Sequence, residues 1–137
     1  MSAQIVLVHD DRRYLEAAAS ALKRAGYDIA AFTNPMTALK ALDGSPTVDL
    51  LVTRVAFERG TIHGIALARM AKVKCLDIRI LFIDLPERQE HTDGIGAFVA
   101  LPVEVPDLIR AIERLPADPG DSSVRDKPPG GAMPPVK

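Results

Sequence analysis

The sequence has little of several features that would each mark a special class of protein. Its 137 residues include one cysteine and no tryptophan, and the net charge is −1. The lone Cys75 excludes a disulfide framework and is typical of a reducing compartment, so we expect a cytoplasmic protein. Balanced charge gives no broad attraction to nucleic acid. No apolar run approaches the ~18 residues of a membrane span, and residues 1–4 lack a signal-peptide pattern.

The composition otherwise indicates one globular domain followed by a tail. Apolar residues make up 47% of the chain and charged residues 26%, which is typical of a protein that buries a core. Residues 116–137 hold six of the eleven prolines and very few large apolar side chains. Such a segment cannot bury enough surface to offset its ordering entropy. We therefore predict a domain over residues 1–115 and a disordered, Pro/Gly-rich tail over residues 116–137.

Apolar runs of strand length alternate with stretches in which apolar residues recur at helical spacing. The runs cover residues 5–8, 27–32, 49–55, 78–83 and 97–101. Between the fourth and fifth runs, residues 87–93 leave room for only one or two helical turns. The alternation predicts an α/β fold with a parallel five-stranded sheet, covered by helices on both faces.

Functional side chains of such a sheet are expected where the strands end, because ligands bind outside the carboxyl ends. The sequence carries polar or distinctive residues at these places. Along the chain they are His9, Asp10 and Asp11 after the first strand, Arg54 after the third, Asp84 after the fourth, and Leu101 and Pro102 after the fifth.

The order and spacing of these segments resemble a bacterial response-regulator receiver domain. The similarity covers about residues 4–115 and includes the acidic pair after the first strand, the glycines at 26 and 64, and the segments 80–84 and 98–102. It implies a flavodoxin-like, doubly wound sheet in the order 2-1-3-4-5, here with a shortened fourth helix. It also implies a stand-alone signalling module of a two-component phosphorelay, not an enzyme. Histidine kinases or another regulator would be its partners, with no nucleic acid or membrane, and a homodimer stays open.

The resemblance also assigns roles to positions, and most of these have changed. Receivers hold magnesium with two acids and a phosphoacceptor aspartate, and bind phosphoryl oxygens with a hydroxyl residue and a lysine. In that order, the corresponding residues here are His9, Asp10, Arg54, Asp84 and Leu101, followed by the family's proline as Pro102. Only Asp10 keeps its chemical role. The resemblance is therefore to a degenerate pseudo-receiver.

The arginine at the acceptor position decides the expected chemistry. A guanidinium is a permanent cation with no acceptor atom, so Arg54 cannot form an acyl phosphate. It would also repel a magnesium ion, for which Asp10 is the sole remaining ligand; we expect no cofactor. Because a partly buried arginine needs acceptors, we predict that Arg54 hydrogen-bonds to Asp10, Asp84 or both. The protein would then act through protein contacts.

Two alternatives stay open at the same strand ends. One is a phosphoacceptor that uses another acid, namely Asp84, Asp10 or Asp11. The other is a small-ligand or metal site, since His9, His63 and His91 also follow strands. Two of the three lie on loops with no ligand spacing, however, so we expect surface histidines; titration of His9 against Asp10 near neutral pH stays open.

Two further features have ordinary structural explanations. Cys75 is expected to be a partly buried, apolar filler. A basic cluster near one helix-to-strand turn is expected to be a solvated face. Its members are Arg69, Lys72, Lys74 and Arg79.

Overall fold

The computed structural model describes residues 4–44, 47–57 and 63–115. Ten elements follow one another along these ranges. In chain order they are β1 (Gln4–Val8), α1 (Arg12–Arg24), β2 (Asp28–Phe32), α2 (Pro35–Asp43), β3 (Leu50–Thr53), α3 (His63–Lys74), β4 (Arg79–Asp84), a 3-10 helix (Pro86–Thr92), β5 (Ala97–Ala100) and α4 (Val105–Glu113). The predicted tail lies outside the described residues, so the domain boundary at 115 stays a prediction.

The five strands form one parallel sheet in the order β2-β1-β3-β4-β5. This confirms the predicted α/β class and strand order. The short 3-10 helix stands where the shortened fourth helix was expected. The Leu101–Pro102 bond is cis. None of the helices in the described ranges is long and apolar enough to cross a bilayer.

Alternate side chains of the central strands build two cores, one on each face of the sheet. On β1, Val6 and Val8 belong to the core under α2 and α3. Ile5 and Leu7 face the opposite core, under α1 and α4. The continuous apolar runs in the sequence arise because these strands are buried on both faces.

Local sequence signals set the helix ends. The carboxylate of Asp11 accepts hydrogen bonds from the backbone N–H groups of Arg13 and Tyr14 and so caps α1. Gly26 follows that helix with φ of 102°, a conformation that favours glycine. Asn34 caps α2, which begins at Pro35 as predicted.

Strand β3 is shorter than the sequence indicated, and this difference bears on the site. The apolar run extends to Val55, but the strand ends at Thr53. The backbone N–H groups of Val55 and Ala56 donate to the side chain of Asp84 instead of continuing the sheet. Val55 and Ala56 therefore lie in a buried loop that follows the strand.

Candidate functional site

Three neighbouring strands bring the candidate residues together. β3 lies between β1 and β4, so the residues that follow β1 and β3 and the last residue of β4 meet at one edge of the sheet. These residues are Asp10, Arg54 and Asp84. The topology thus assembles an arginine between two acids that are far apart in the sequence.

Arg54 forms a hydrogen-bonded ion pair with each of the two acids. Its Nη1 donates to Oδ1 of Asp10 at 3.0 Å, and its Nη2 donates to Oδ1 of Asp84 at 2.7 Å. The side chain of Arg54 is 15% exposed, that of Asp84 is fully buried, and that of Asp10 is 38% exposed. The predicted ion pairs are therefore confirmed, and Arg54 joins a buried acid to one near the solvent.

The carboxylate of Asp84 receives five hydrogen bonds. Oδ1 accepts from Arg54, from Nη1 of Arg88 at 2.9 Å and from the backbone N–H of Leu85 at 2.7 Å. Oδ2 accepts from the backbone N–H groups of Val55 and Ala56, each at 3.0 Å. A carboxylate offers about four lone-pair sites, so this one has no acceptor capacity left for another ligand.

These contacts also fix the charge states. Burial alone would raise the pKa of Asp84, but the hydrogen bonds from Arg54 and from the backbone of Ala56 and Leu85 outweigh it and hold that pKa below its usual value. Burial opposes the charge of Arg54, yet the hydrogen bonds and charges of both carboxylates outweigh it and raise the arginine pKa. Both groups are therefore ionised across the neutral range.

Arg88 is a member of the site that the sequence analysis did not identify. It lies on the 3-10 helix, four residues after Asp84, and shares Oδ1 of that acid with Arg54. Two guanidiniums therefore balance two carboxylates. An arginine four residues after a strand-end acid was a signal in the sequence, but only the helical turn shows that it folds back.

His9 is buried, which corrects the expectation of a surface histidine. It is 5% exposed because Tyr14 covers it, with the ring centroids 4.9 Å apart. Its Nδ1 accepts the backbone N–H of Asp11 at 2.9 Å. Burial and the charge of Arg54 lower its pKa, outweighing the nearby carboxylates. The imidazole is therefore neutral at pH 7, and its 3.5 Å approach to Oδ1 of Asp10 is not a salt bridge.

Gly64 lets the start of α3 pack against the backbone of Arg54. A Cβ atom at Gly64 would lie 1.7 Å from the carbonyl oxygen of Arg54, and the glycine N–H donates to the carbonyl of Val55 at 3.0 Å. Only glycine fits this approach. The main chain of Arg54 is thereby held by α3 while its side chain is held by the two acids.

The remaining predicted residues lie around this cluster without joining it. The side chain of Asp11 is engaged in capping α1. The backbone N–H of Leu101 donates to the carbonyl of Asp84 at 2.8 Å, and its side chain packs against the core under α1 and α4. Pro102 follows it and is exposed.

Three further expectations can be compared with the structure. His63 and His91 are exposed, as expected of surface histidines. Cys75 is 2% exposed, which confirms the interpretation of an apolar filler. Burial raises the pKa of its thiol, against the opposing effects of a backbone hydrogen bond and Lys74.

Comparison with solved structures shows what this architecture resembles. Chemotaxis protein CheY4 of Vibrio cholerae superposes with a TM-score of 0.73 at 17% identity, over 85% of this chain and all of that chain. The chain has the fold of a response-regulator receiver domain. A receiver protein from Sinorhizobium medicae gives a TM-score of 0.71 at 22% identity, over 82% and 93% of the two chains. The receiver domain of the hybrid histidine kinase CckA gives 0.68 at 20%, over 82% and 97%.

The likeness is confined to structure. No protein-family model and no curated protein sequence matches the chain. A shared fold does not by itself imply a shared chemistry.

The donor set does not suit the magnesium ion that the receiver fold implies. Magnesium is held by carboxylate oxygens and water, but the oxygens of Asp10 and Asp84 that face the site already accept hydrogen bonds from Arg54. A divalent ion between these acids would have to displace a permanent cation. Among the residues that the structure describes, no group of three or more His, Cys, Asp or Glu side chains is arranged to hold a metal.

Proposed function

We propose that this protein is a receiver-like signalling module that acts through protein contacts and is not phosphorylated, because Arg54 stands at the acceptor position. The observation that carries the proposal is that Arg54 donates one hydrogen bond to Asp10 and another to Asp84. This arginine stands at the strand end where a receiver holds its acceptor. The three solved structures named above share the receiver fold with this chain, which supports a place in two-component signalling.

The other acids of the site are poor nucleophiles. A phosphoacceptor carboxylate must be able to reach the phosphorus atom of a donor. Asp84 is fully buried and has five hydrogen-bond donors on its two oxygens. Asp11 would have to leave the end of α1. Asp10 is the most accessible acid of the bonded cluster, but its Oδ1 accepts a hydrogen bond from the permanent cation Arg54.

In this proposal the charge of Arg54 takes the place of the metal ion, and the protein has no phosphorylation that would switch its state. In the proposed state it supplies the positive charge that the two acids need, within the fold and without a dissociable ion. A receiver with a built-in cation has one electrostatic state at neutral pH. Changes in signalling would then come from a partner that binds one conformation better than another, or from the amount of protein in the cell.

The proposal is tested by treating the full chain with acetyl phosphate and magnesium and measuring its intact mass. We expect no gain of a phosphoryl group. The positive control is an ordinary receiver treated in parallel, and the variant Asp10→Asn identifies the acceptor if a gain is seen. Any gain of a phosphoryl group would overturn the proposal, and a gain that Asp10→Asn removes would establish Asp10 as the acceptor.

A small-ligand or metal site is the other alternative, and no described contact favours it. A thermal-shift series with magnesium, zinc and inorganic phosphate addresses it directly, because a ligand that binds only the folded state raises its stability. We expect no shift with any of the three.

A further inference from the structure

Helix α3 has an apolar outer face that the receiver-like site does not explain. Its inner face is buried on the sheet through Ile65, Leu67, Ala68 and Ala71. On the outer side, Met70 is 45% exposed and Val73 is 77% exposed, and Leu76, in the turn after the helix, is 83% exposed. We call Met70, Val73 and Leu76 the α3 patch. A helix that is apolar on both sides is normally buried on both sides.

The spacing of the patch matches that of a helix recognised by a protein. Ala66, Met70 and Val73 stand at positions i, i+4 and i+7, and all three are exposed. This is the set of anchors by which an amphipathic helix meets an apolar surface of a partner. Three of the five exposed large apolar side chains in the described residues belong to the patch, so exposed apolar surface is concentrated there.

The charges beside the patch indicate the chemistry of the partner. Helix α3 contains three basic residues and no acid. Lys74 pairs with Asp43 of α2, whereas Arg69 and Lys72 form no ion pair with any residue that the structure describes. One exposed acid, Asp77, follows Leu76 at the end of the patch. The two cations beside Met70 and Val73 are complementary to a surface that is apolar at its centre and acidic at its rim.

We propose that the α3 patch is the docking surface for an acidic amphipathic helix of a partner protein. The proposal rests on the proposed function, in which this protein acts by contact. The partner helix would pack its apolar face on Met70, Val73 and Leu76 and present carboxylates to Arg69 and Lys72. A membrane-surface helix usually presents several large aromatic or leucine side chains along its apolar face, whereas Leu76 is the one such side chain of the α3 patch and lies beyond the end of the helix.

The test uses two synthetic helical peptides of about 18 residues, or five turns. Both carry leucine along one face; one has glutamate on its other positions and the second has lysine. Each is titrated into the full, isotope-labelled chain, and amide chemical shifts are followed. We expect the acidic peptide to shift the amides of residues 66–77 and the basic peptide to leave them in place.

Substitutions then assign the contact. We expect Val73→Asp to weaken binding of the acidic peptide at least about tenfold, as for a central anchor. Met36→Asp is the matched control, because Met36 is 63% exposed on α2 and should leave binding unchanged. The double variant Arg69→Glu, Lys72→Glu should exchange the preference of the protein from the acidic to the basic peptide.

Three results would overturn the proposal. The first is an acidic peptide that does not bind, or binding that Val73→Asp leaves intact. The second is a shift of residues 66–77 caused by vesicles of anionic lipid alone, which would assign the patch to a membrane. The third is a shift of the same residues with protein concentration alone, which would assign it to a second copy. None of these measurements depends on phosphorylation, so they fail or succeed separately from the acetyl phosphate test.

Discussion

The guanidinium of Arg54 lies 2.7 Å from the carboxylate of Asp84, and that carboxylate is closed to the solvent on every side. Each residue requires the other. A buried carboxylate without a cation is costly, and so is a largely buried guanidinium without an acceptor. The arginine after β3 and the acid at the end of β4 therefore depend on each other for stability.

Replacing Asp84 tests this dependence. We expect Asp84→Asn to lower the free energy of unfolding by about 3–5 kcal/mol, because it leaves Arg54 short of a charge partner and presents an amide to several donors. Urea unfolding of the full chain measures the loss. The control is Asp107→Asn, which removes an exposed pair with Arg110 and should cost less than about 1 kcal/mol. Equal losses for the two variants would show that the buried pair has no special weight.

The second prediction concerns pH and the neutral imidazole of His9. The pKa of His9 is lower in the folded protein than its usual value, so the unfolded chain takes up the proton first as the pH falls. Stability is therefore complete above about pH 6.5 and decreases below it, towards the folded pKa. We expect the urea concentration at the unfolding midpoint to decrease as the pH is lowered from about 7.5 to about 5.5.

The variant His9→Asn isolates this effect. Its side-chain oxygen can accept the N–H of Asp11 in place of Nδ1, but it does not titrate. We expect the variant to lose the pH dependence in that range, whereas His91→Asn, at an exposed position, should retain it. A pH dependence that survives in His9→Asn would assign it to another group.

The third prediction concerns the close approach of α3 to Arg54. We expect Gly64→Ala to destabilise the protein by at least about 1–3 kcal/mol, because the new Cβ overlaps the carbonyl of Arg54 and overpacking of this kind strains the backbone. Gly44→Ala is the matched control, since the nearest atom to its Cβ is 4.0 Å away. Thermal unfolding compares the two. Similar melting temperatures would show that the loop after β3 adapts freely.

Much of the fold could be predicted from the sequence because the strand signals were strong. Strands buried on both faces appear as continuous apolar runs, and Asn34 and Gly26 mark helix ends by local chemistry. The residue at which β3 ends was harder to predict. Val55 is as apolar as a strand residue, and only the position of Asp84 in the neighbouring strand shows that its N–H has another acceptor.

The site was predictable in outline for a similar reason. Parallel strands bring their carboxyl ends together, so an arginine and two acids at three such ends could be expected to meet. The contribution of Arg88 and the burial of His9 could not be derived in this way. Arg88 reaches Asp84 through one turn of a 3-10 helix, and His9 is covered by Tyr14, whose hydroxyl bonds to the distant carbonyl of Val103 at 2.8 Å.

Arg54 is proposed to serve the two acids as a built-in cation. The most direct measurement is the melting temperature of the parent and of Arg54→Asp, each with and without magnesium. We expect magnesium to leave the melting temperature of the parent unchanged. We expect Arg54→Asp to melt at a clearly lower temperature without the ion and at a higher one as the ion is added. A parent stabilised by magnesium, or an Arg54→Asp protein as stable as the parent without it, would contradict the account.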